Sequence, residues 1–448
     1  MWVTDDNVAL LTDLYELTMS ASYFAEGMHD EATFELFVRH LPESRNFLVS
    51  AGLDDALHYL EHLHFDGDAV AYLRGLGIFR PDFLEYLATL RFTGDVWAIP
   101  EGAVFFAGEP MLRITAPLIE AQIVETFLLN CLNFQSLIAS KAARVAIACD
   151  GRRFVDFSPR RDHGADAAMK AARASYIGGA SATSNVLAAR AYGIAPSGTM
   201  AHAYVMSFDR ELDAFLAFAR TFPERSTLLI DTYDSVEGAR NAVRAADLLA
   251  PEGVKIQGVR LDSGDLPELA RAVRDVLDEG GYSDIQIFAS GDLDEYRIAA
   301  LLQEDAPIDA FGIGTQLGVS ADAPALGGIY KLVEDKSGPK MKRSTAKVTI
   351  PGRKQVYRCY QDAVATHDTL ALHDESPPPG VPLLQKVMEG GRRTTPPESL
   401  SAARERCSRA VKSLPPALRS LHPAPDPFPV RCSARLESLL AELIQAPH

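Results

Sequence analysis

The run DFSPRRDHGADAAMKAARASYIGGASATSNVLAARAYGIAPSGTMAHAY, from Asp156 to Tyr204, decides the fold. FVDFS (Phe154 to Ser158) reads as a strand that tips into the basic cluster Arg160, Arg161 and His163. An Ala-rich helical run follows from Ala165 to Tyr176, and Gly178-Gly179 opens a turn. SNVLAARAYG then reads as a short helix with Ser184 as N-cap and Gly193 at the C′ position. The third run, PSGTMAH, ends on His202. Three β-like runs, each closing on small polar or titratable residues, are what an α/β barrel presents at its active face.

The same pattern extends outward from Arg153 to Leu317. The runs RFVDFS, YIGGAS, PSGTMAH, STLLIDTYDS, VKIQGVRLDSGD, DIQIFASGD and IDAFGIGT are apolar at the start and polar or Gly-rich at the end. That spacing predicts βα units, hence an irregular (β/α) barrel, with an open doubly wound sheet as the competing architecture. Upstream, the chain mixes an opening helix (Asp5 to Tyr23), the strand-like runs ATFELFVRH and NFLVSAG, and an amphipathic helix from Leu53 to Leu63. Gly94 to Arg113 reads as a small antiparallel sheet and Pro117 to Cys149 as one or two buried helices. Downstream, GGIYKLVE and AKVTIPGRKQVYRCY read as strands that return to the N-terminal sheet, and DESPPPG, TTPPES and HPAPDPFPV mark a Pro-rich tail.

Composition narrows the function classes. The 448 residues are 47% hydrophobic, enough for more than one domain with an ordinary core. A net charge of −16 argues against nucleic-acid wrapping and against binding an anionic membrane. Any anionic ligand must find local positive charge or a metal ion. Five scattered cysteines without metal-ligand spacing fit a reduced, cytoplasmic setting. The N-terminus has no basic segment before its apolar residues, and no apolar run approaches a membrane span.

The predicted strand ends carry no lysine, which counts against Schiff-base chemistry, and no His-x-His pair for a tightly held catalytic metal. Instead, ASGD (Ala289 to Asp292) and FGIGT (Phe311 to Thr315) place glycines before helices, where backbone N–H groups receive phosphates. Asp262 and Asp292 stand at neighbouring strand ends, suited to ribose hydroxyls, with helix capping as the alternative that Asp265 and Asp294 equally supply. Arg260 lies two residues before Asp262 and so on the same face of its strand, suited to an anion or a flat ring.

These residues resemble the nicotinate phosphoribosyltransferase family. The match rests on TDLYELTM, EAQIVETFLLN, DFSPRRDHG, GGASATSN, SGTMAHAYV, DTYDS, GVRLDSGDL, ASGDLDE and FGIGT, from the N-terminus to about Lys347. The resemblance implies an irregular barrel with an N-terminal α/β sandwich domain. It divides the chain into 1–150 for the sandwich and linking helices, 151–320 for the catalytic barrel, 321–374 for strands returning to the sandwich and 375–448 for a Pro-rich C-terminal wrap. It implies a homodimer with shared sites that joins nicotinate to phosphoribosyl pyrophosphate, giving nicotinate mononucleotide and pyrophosphate, with ATP hydrolysed and Mg²⁺ supplying positive charge. By resemblance His202 is the histidine phosphorylated by ATP, and Tyr15 (from the other subunit), Phe157, Arg160, Thr199 and Arg260 contact nicotinate. Asp262, Gly291, Asp292, Gly314 and Thr315 then form the phosphoribosyl site, and the resemblance assigns no metal ligands.

Three other readings compete. A nicotinamide-specific enzyme of the same fold resembles this chain but carries a carboxylate on the turn near Gly179, where Ala180-Ser181 stands here. A barrel phosphosugar isomerase requires a strand-end Glu or Lys base, which the strand ends lack. A non-catalytic binding protein does not need His202.

Overall fold

The structure, a computed structural model, describes residues 3–343 and 348–445. Ala346 and Lys347, at the start of the run AKVTIPGRKQVYRCY, therefore lie outside the described residues. The chain forms two compact units, one continuous (Lys141–Pro324) and one assembled from Met1–Ser140 and Ala325–His448.

The continuous unit is built on six parallel strands: β1 (Arg153–Asp156), β2 (Ala182–Thr183), β3 (Thr227–Leu229), β4 (Gly258–Leu261), β5 (Gln286–Ala289) and β6 (Ala310–Ile313). Their spatial order is β2-β1-β6-β5-β4-β3. The first and last strands in sequence are paired, with Phe154 opposite Phe311, so the sheet is curled in the order of a barrel and not of an open doubly wound sheet. The ladder does not close. Thr183 makes a single parallel bridge to Pro196, and among the described residues no ladder runs from there to β3. Pro196 has no N–H to donate, and the chain turns into the short helix His202–Met206 soon afterwards, so PSGTMAH supplies one bridge instead of a strand.

Helices follow the strands because their apolar residues recur at helical spacing. Leu266–Glu279 buries Leu266, Ala270, Val273 and Leu277, one stripe down one face. Three of these helices start on an aspartate whose carboxylate accepts a backbone N–H: Asp234 from Glu237, Asp265 from Glu268 and Asp294 from Arg297. YIGGAS differs from its expected reading as a strand. The helix Ala165–Gly178 takes up its first three residues, Gly179 turns the chain, and β2 begins only at Ala182. The next helix, Val186–Tyr192, is capped by Asn185 and not Ser184, since Asn185 Oδ1 accepts the Ala188 N–H at 3.1 Å; Gly193 ends it at φ +67.

Beneath these strand ends lies a buried charge network that the sequence does not announce. Lys141 and Arg144, on the last turns of helix Glu125–Ala148, both grip Glu295 at the start of helix Glu295–Gln303. Arg144 Nε reaches Glu295 Oε1 at 3.0 Å and Arg144 Nη2 donates to Tyr296 Oη at 2.8 Å. Lys141 Nζ also donates to Asp322 at 2.8 Å.

The other unit carries a seven-stranded antiparallel sheet in the order 338–339, 328–335, 31–38, 110–117, 95–98, 385–389, 392–393. Its central strands come from the N-terminal part and both edges from the C-terminal part. Lys354–Gln361 and Val364–Leu372 do not join it; they pair with each other in a separate four-stranded sheet with Val381–Pro382 and Val430–Cys432. The opening helix is Leu14–Ala25, shorter than expected from sequence, after a 3-10 turn at Val8–Leu10. No helix among the described residues is long and apolar enough to cross a membrane.

Candidate active site

The C-terminal ends of β1 to β6 bring most of the nominated residues together in the continuous unit. Three strand ends carry a pair of aspartates: Asp231 and Asp234, Asp262 and Asp265, Asp292 and Asp294. The second member of each pair caps the following helix, which leaves the first free for other work. Capping is thereby removed as the explanation for Asp262 and Asp292.

His202 is half-buried at the start of its helix. Its Nδ1 lies 3.2 Å from Thr232 Oγ1, and its Nε2 lies 3.9 Å from Asp262 Oδ2. The tautomer that donates Nδ1–H to Thr232 leaves the Nε2 lone pair available as a nucleophile. Asp262 is itself held, because its other oxygen accepts from Ser290 Oγ and its backbone N–H donates to Asp231 Oδ2 at 2.9 Å. Ser263 Oγ donates to the same Asp231 oxygen at 2.6 Å. Asp231 Oδ1 is buried without a hydrogen-bond partner, as is Arg260 Nε. Both are polar atoms whose burial is costly unless a ligand completes them.

Arg260 is half-buried, with Nη2 donating to the Met200 carbonyl at 3.2 Å. Burial holds its pKa below the ordinary arginine value, against the pull of Asp262 and Asp231, and Arg160 adds to the lowering. Arg160 is exposed. Arg260 stands opposite Phe288 across the β4–β5 pair, and the Phe288 ring lies 5.7 Å from that of Phe157. A Cβ on Gly312 would meet the Phe157 ring at 2.6 Å, so the glycine lets that ring lie close over β6. Phe157, Phe288 and Thr199 line a cavity of about 450 Å³ that extends back to Arg153, Thr227, Gly258 and Gln286, the first residues of their strands. His202, Asp262 and the two glycine turns are outside its lining.

The two glycine turns differ in backbone conformation. Gly291 has φ +94, and a Cβ there would come within 2.0 Å of the Asp262 carbonyl oxygen, so only glycine fits. Asp292 follows at φ +47, exposed, so the turn takes two left-handed residues in succession. Gly314 precedes the four-residue helix Thr315–Gly318, with the Thr315 side chain exposed. On the β1 side, Asp156 accepts from Ser158 N and Thr183 Oγ1 at 2.9 and 2.8 Å, and burial raises its pKa. That carboxylate serves the loop and does not face a ligand. Asp162 is pushed up to about 6 by burial and by Asp156, and one of its oxygens accepts from Ser158 Oγ at 3.0 Å.

Tyr15 belongs to the other unit, in the first turn of Leu14–Ala25, and is exposed. Its helix is anchored by Glu16, which is buried and accepts from Thr12 Oγ1 at 2.6 Å and Thr126 N at 3.0 Å. Burial pushes the Glu16 carboxyl up to about 7. Desolvation and Glu125 push the Tyr15 hydroxyl upward too.

Sequence reasoning left Asp231, Thr232 and Ser290 without roles. The signal for Asp231 was present, since it closes the apolar run STLLID and repeats the D-x-x-D spacing of DSGD. Thr232 and Ser290 show no signal beyond their place at strand ends.

Comparisons with known proteins cover most of the chain. Models of the nicotinate phosphoribosyltransferase N-terminal domain, family and C-terminal domain match residues 10–133, 152–334 and 380–440. A nicotinate phosphoribosyltransferase of Mycobacterium tuberculosis is 51% identical over 98% of this chain and 94% of its own length. One from Bacillus subtilis is 43% identical over 83% of this chain and 77% of its own. The crystal structure of human nicotinic acid phosphoribosyltransferase superposes with a TM-score of 0.86 at 30% identity, covering 96% of this chain and 99% of the human one. Family models matching residues 10–133, 152–334 and 380–440, with a relative 51% identical over nearly the whole chain, place this chain in the nicotinate phosphoribosyltransferase family.

Proposed function

We propose that the enzyme joins nicotinate to 5-phosphoribosyl 1-pyrophosphate, giving nicotinate mononucleotide and pyrophosphate for NAD biosynthesis, with ATP hydrolysed through a phosphohistidine at His202. The observation that carries this reading is Arg260, a half-buried guanidinium with an unpartnered Nε beside an aromatic pair. A planar carboxylate-bearing ring satisfies both features. Phe157 stacks on the ring, while Arg260, Arg160 and Thr199 hold its carboxylate. No acid stands on the Ala180-Ser181 turn, which favours nicotinate over nicotinamide.

The chemistry is a displacement at ribose C1. The nicotinate ring nitrogen lone pair forms the new C1–N bond as the C1–O bond breaks, and pyrophosphate departs with the electron pair. The state between is oxocarbenium-like, so positioning and charge matter more than a strong acid or base. Asp262, oriented by Ser290 and the Asp231 bridge, accepts from ribose hydroxyls; Gly291, Asp292, Gly314 and Thr315 receive the phosphates. Mg²⁺ suits this site as a counter-charge to pyrophosphate. Asp231 Oδ1 and Asp262 offer it hard oxygens, and among the described residues no three-ligand nest stands at these strand ends. That is the arrangement expected of an ion that keeps water and substrate phosphate as ligands.

We also read the continuous unit as the catalytic body, the enzyme as cytoplasmic and the working form as a homodimer in which Tyr15 completes the partner's site. The firm seating of Glu16 beside an exposed Tyr15 supports the last point.

Incubation with nicotinate or nicotinamide, phosphoribosyl pyrophosphate and Mg²⁺, with and without ATP, tests the reaction: nicotinate mononucleotide is expected, and exclusive use of nicotinamide would overturn the assignment. In Arg260→Ala the KM for nicotinate should rise on the order of tenfold to a hundredfold, the worth of a charged hydrogen-bonded contact. An unchanged KM would remove Arg260 from the carboxylate site. Mixing Tyr15→Ala and His202→Ala subunits, each lacking ATP-stimulated synthesis, should restore it in hybrid dimers. If subunits exchange and activity stays absent, the site is not shared.

A further inference from the structure

The structure assigns a second chemistry to the surface of the other unit: we propose that Asp5, His58 and His62 form a binding site for a borderline divalent transition-metal ion such as Zn²⁺. Neither the family resemblance nor the phosphoribosyl reading uses these residues.

The argument begins with helix Leu53–His62, which buries Leu53, Ala56, Leu57, Tyr59 and Leu60 and leaves His58 and His62 exposed one turn apart. Residues at i and i+4 share a helix face, and two imidazoles at that spacing converge on one ion. The two rings are stacked with centroids 4.2 Å apart. His62 Nδ1 sits 2.8 Å from the His58 carbonyl oxygen. It can only donate there, so the proton is fixed on Nδ1 and the Nε2 lone pair faces outward. A backbone carbonyl holding the non-ligating nitrogen is the usual outer partner of a metal-bound histidine.

The third group comes from a different part of the chain. Asp5 Oδ1 lies 3.0 Å from His58 Nε2. Asp5 is placed by a turn in which Asn7 and Val8 donate to the Thr4 carbonyl, three residues before the buried Val8. One ligand atom from each of the three residues lies within 4.8 Å of the other two. Tetrahedral zinc with bonds near 2.0–2.1 Å sets its ligands about 3.3 Å apart. Rotation of exposed side chains closes that difference. Two imidazole nitrogens and one carboxylate select Zn²⁺, Ni²⁺, Co²⁺ or Cu²⁺ over Mg²⁺ and Ca²⁺, which prefer all-oxygen sites. Water completes the coordination. The ion would tie residues 4–8 to helix Leu53–His62, replacing the proton now shared between His58 and Asp5.

The test uses the full-length, untagged protein after treatment with a chelator. Titration with Zn²⁺ against a chromophoric competitor should reveal a site that millimolar Mg²⁺ does not compete for, and its affinity should fall more than tenfold in His62→Gln and in His58→Gln. Amide hydrogen exchange over residues 4–8 should slow when Zn²⁺ is added to the wild type and not to His58→Gln. These exposed positions leave the fold intact, which circular dichroism verifies. Wild-type zinc affinity in the His58→Gln/His62→Gln double variant would overturn the proposal, as would a wild-type protein that binds no Zn²⁺.

Discussion

His202→Asn is expected to abolish ATP stimulation of mononucleotide synthesis while leaving a slow, ATP-independent transfer. A neutral imidazole nitrogen is nucleophilic near neutral pH, and phosphohistidine is labile enough to be discharged every turnover. The geometry suits that role, with Nδ1 3.2 Å from Thr232 Oγ1 and Nε2 on the side of Asp262. The Asn amide stands near the Nδ1 position and can keep a polar contact to Thr232, but nothing replaces Nε2, and an amide nitrogen has no available lone pair to attack phosphorus. Phosphorylation adds nearly two negative charges. On the proposed reading, the phosphoryl group on His202 would stand beside Asp262, would add to the charge that holds a cation there, and would leave by hydrolysis after transfer. The check is acid-labile label from γ-labelled ATP, present in the native protein and absent in the variant. Wild-type stoichiometry of label in His202→Asn would assign the phosphoryl group elsewhere.

The largest stability effect should come from Glu295→Ala. Glu295 is fully buried between Lys141 and Arg144, whose side chains are 1% and 2% exposed. Removing a carboxylate from such a network leaves two cations in a low-dielectric interior, a cost of about 3–5 kcal/mol. Asp322, which accepts from Lys141, and the Tyr296 hydroxyl, which accepts from Arg144, offset part of that cost. Glu295→Gln keeps the shape and one acceptor, so it should fall between Ala and the wild type. Because the chain has two units, the proper measurement is amide exchange in helix Glu295–Gln303 together with the denaturant midpoint. Unchanged protection in Glu295→Ala would show that the cations find other partners.

The strand ends were legible because barrel chemistry is local in sequence: RLDSGD, ASGD and FGIGT each carry their strand, turn and polar groups within a few residues. Asp262, Gly291 and Thr315 fall at the ends of their strands for that reason. Ser184 missed the cap by one residue, since Ser and Asn are almost equal caps and the packing of Asn185 over helix Ala165–Gly178 decides between them. PSGTMAH looked like a strand because its proline costs a ladder bond only once the neighbouring strand is known. The second sheet of the discontinuous unit was illegible for a different reason. Whether Lys354–Gln361 pairs with Val364–Leu372 or with a strand far upstream leaves the same alternation of side chains. Lys141 and Arg144 sit in a helix that reads as apolar, and their buried acid lies far along the chain, so nothing local marks them.

The discontinuity of the unit assembled from Met1–Ser140 and Ala325–His448 also has a consequence for synthesis. Strand Glu31–Val38 needs Gly328–Asp335 on one side, and Ala32 pairs with Asp335, roughly 300 residues later. At about 5–20 residues per second, the nascent strand waits some 15–60 s for that partner. Meanwhile every strand of Lys141–Pro324 has its neighbours within its own segment, so that unit can fold as it emerges. The waiting sheet has an open edge, the kind of surface on which chains join one another. Chain termination between Pro324 and Gly328 is thus expected to release a folded parallel sheet tethered to an aggregation-prone one, and the cell's chaperones would meet this protein first at the edge of Glu31–Val38.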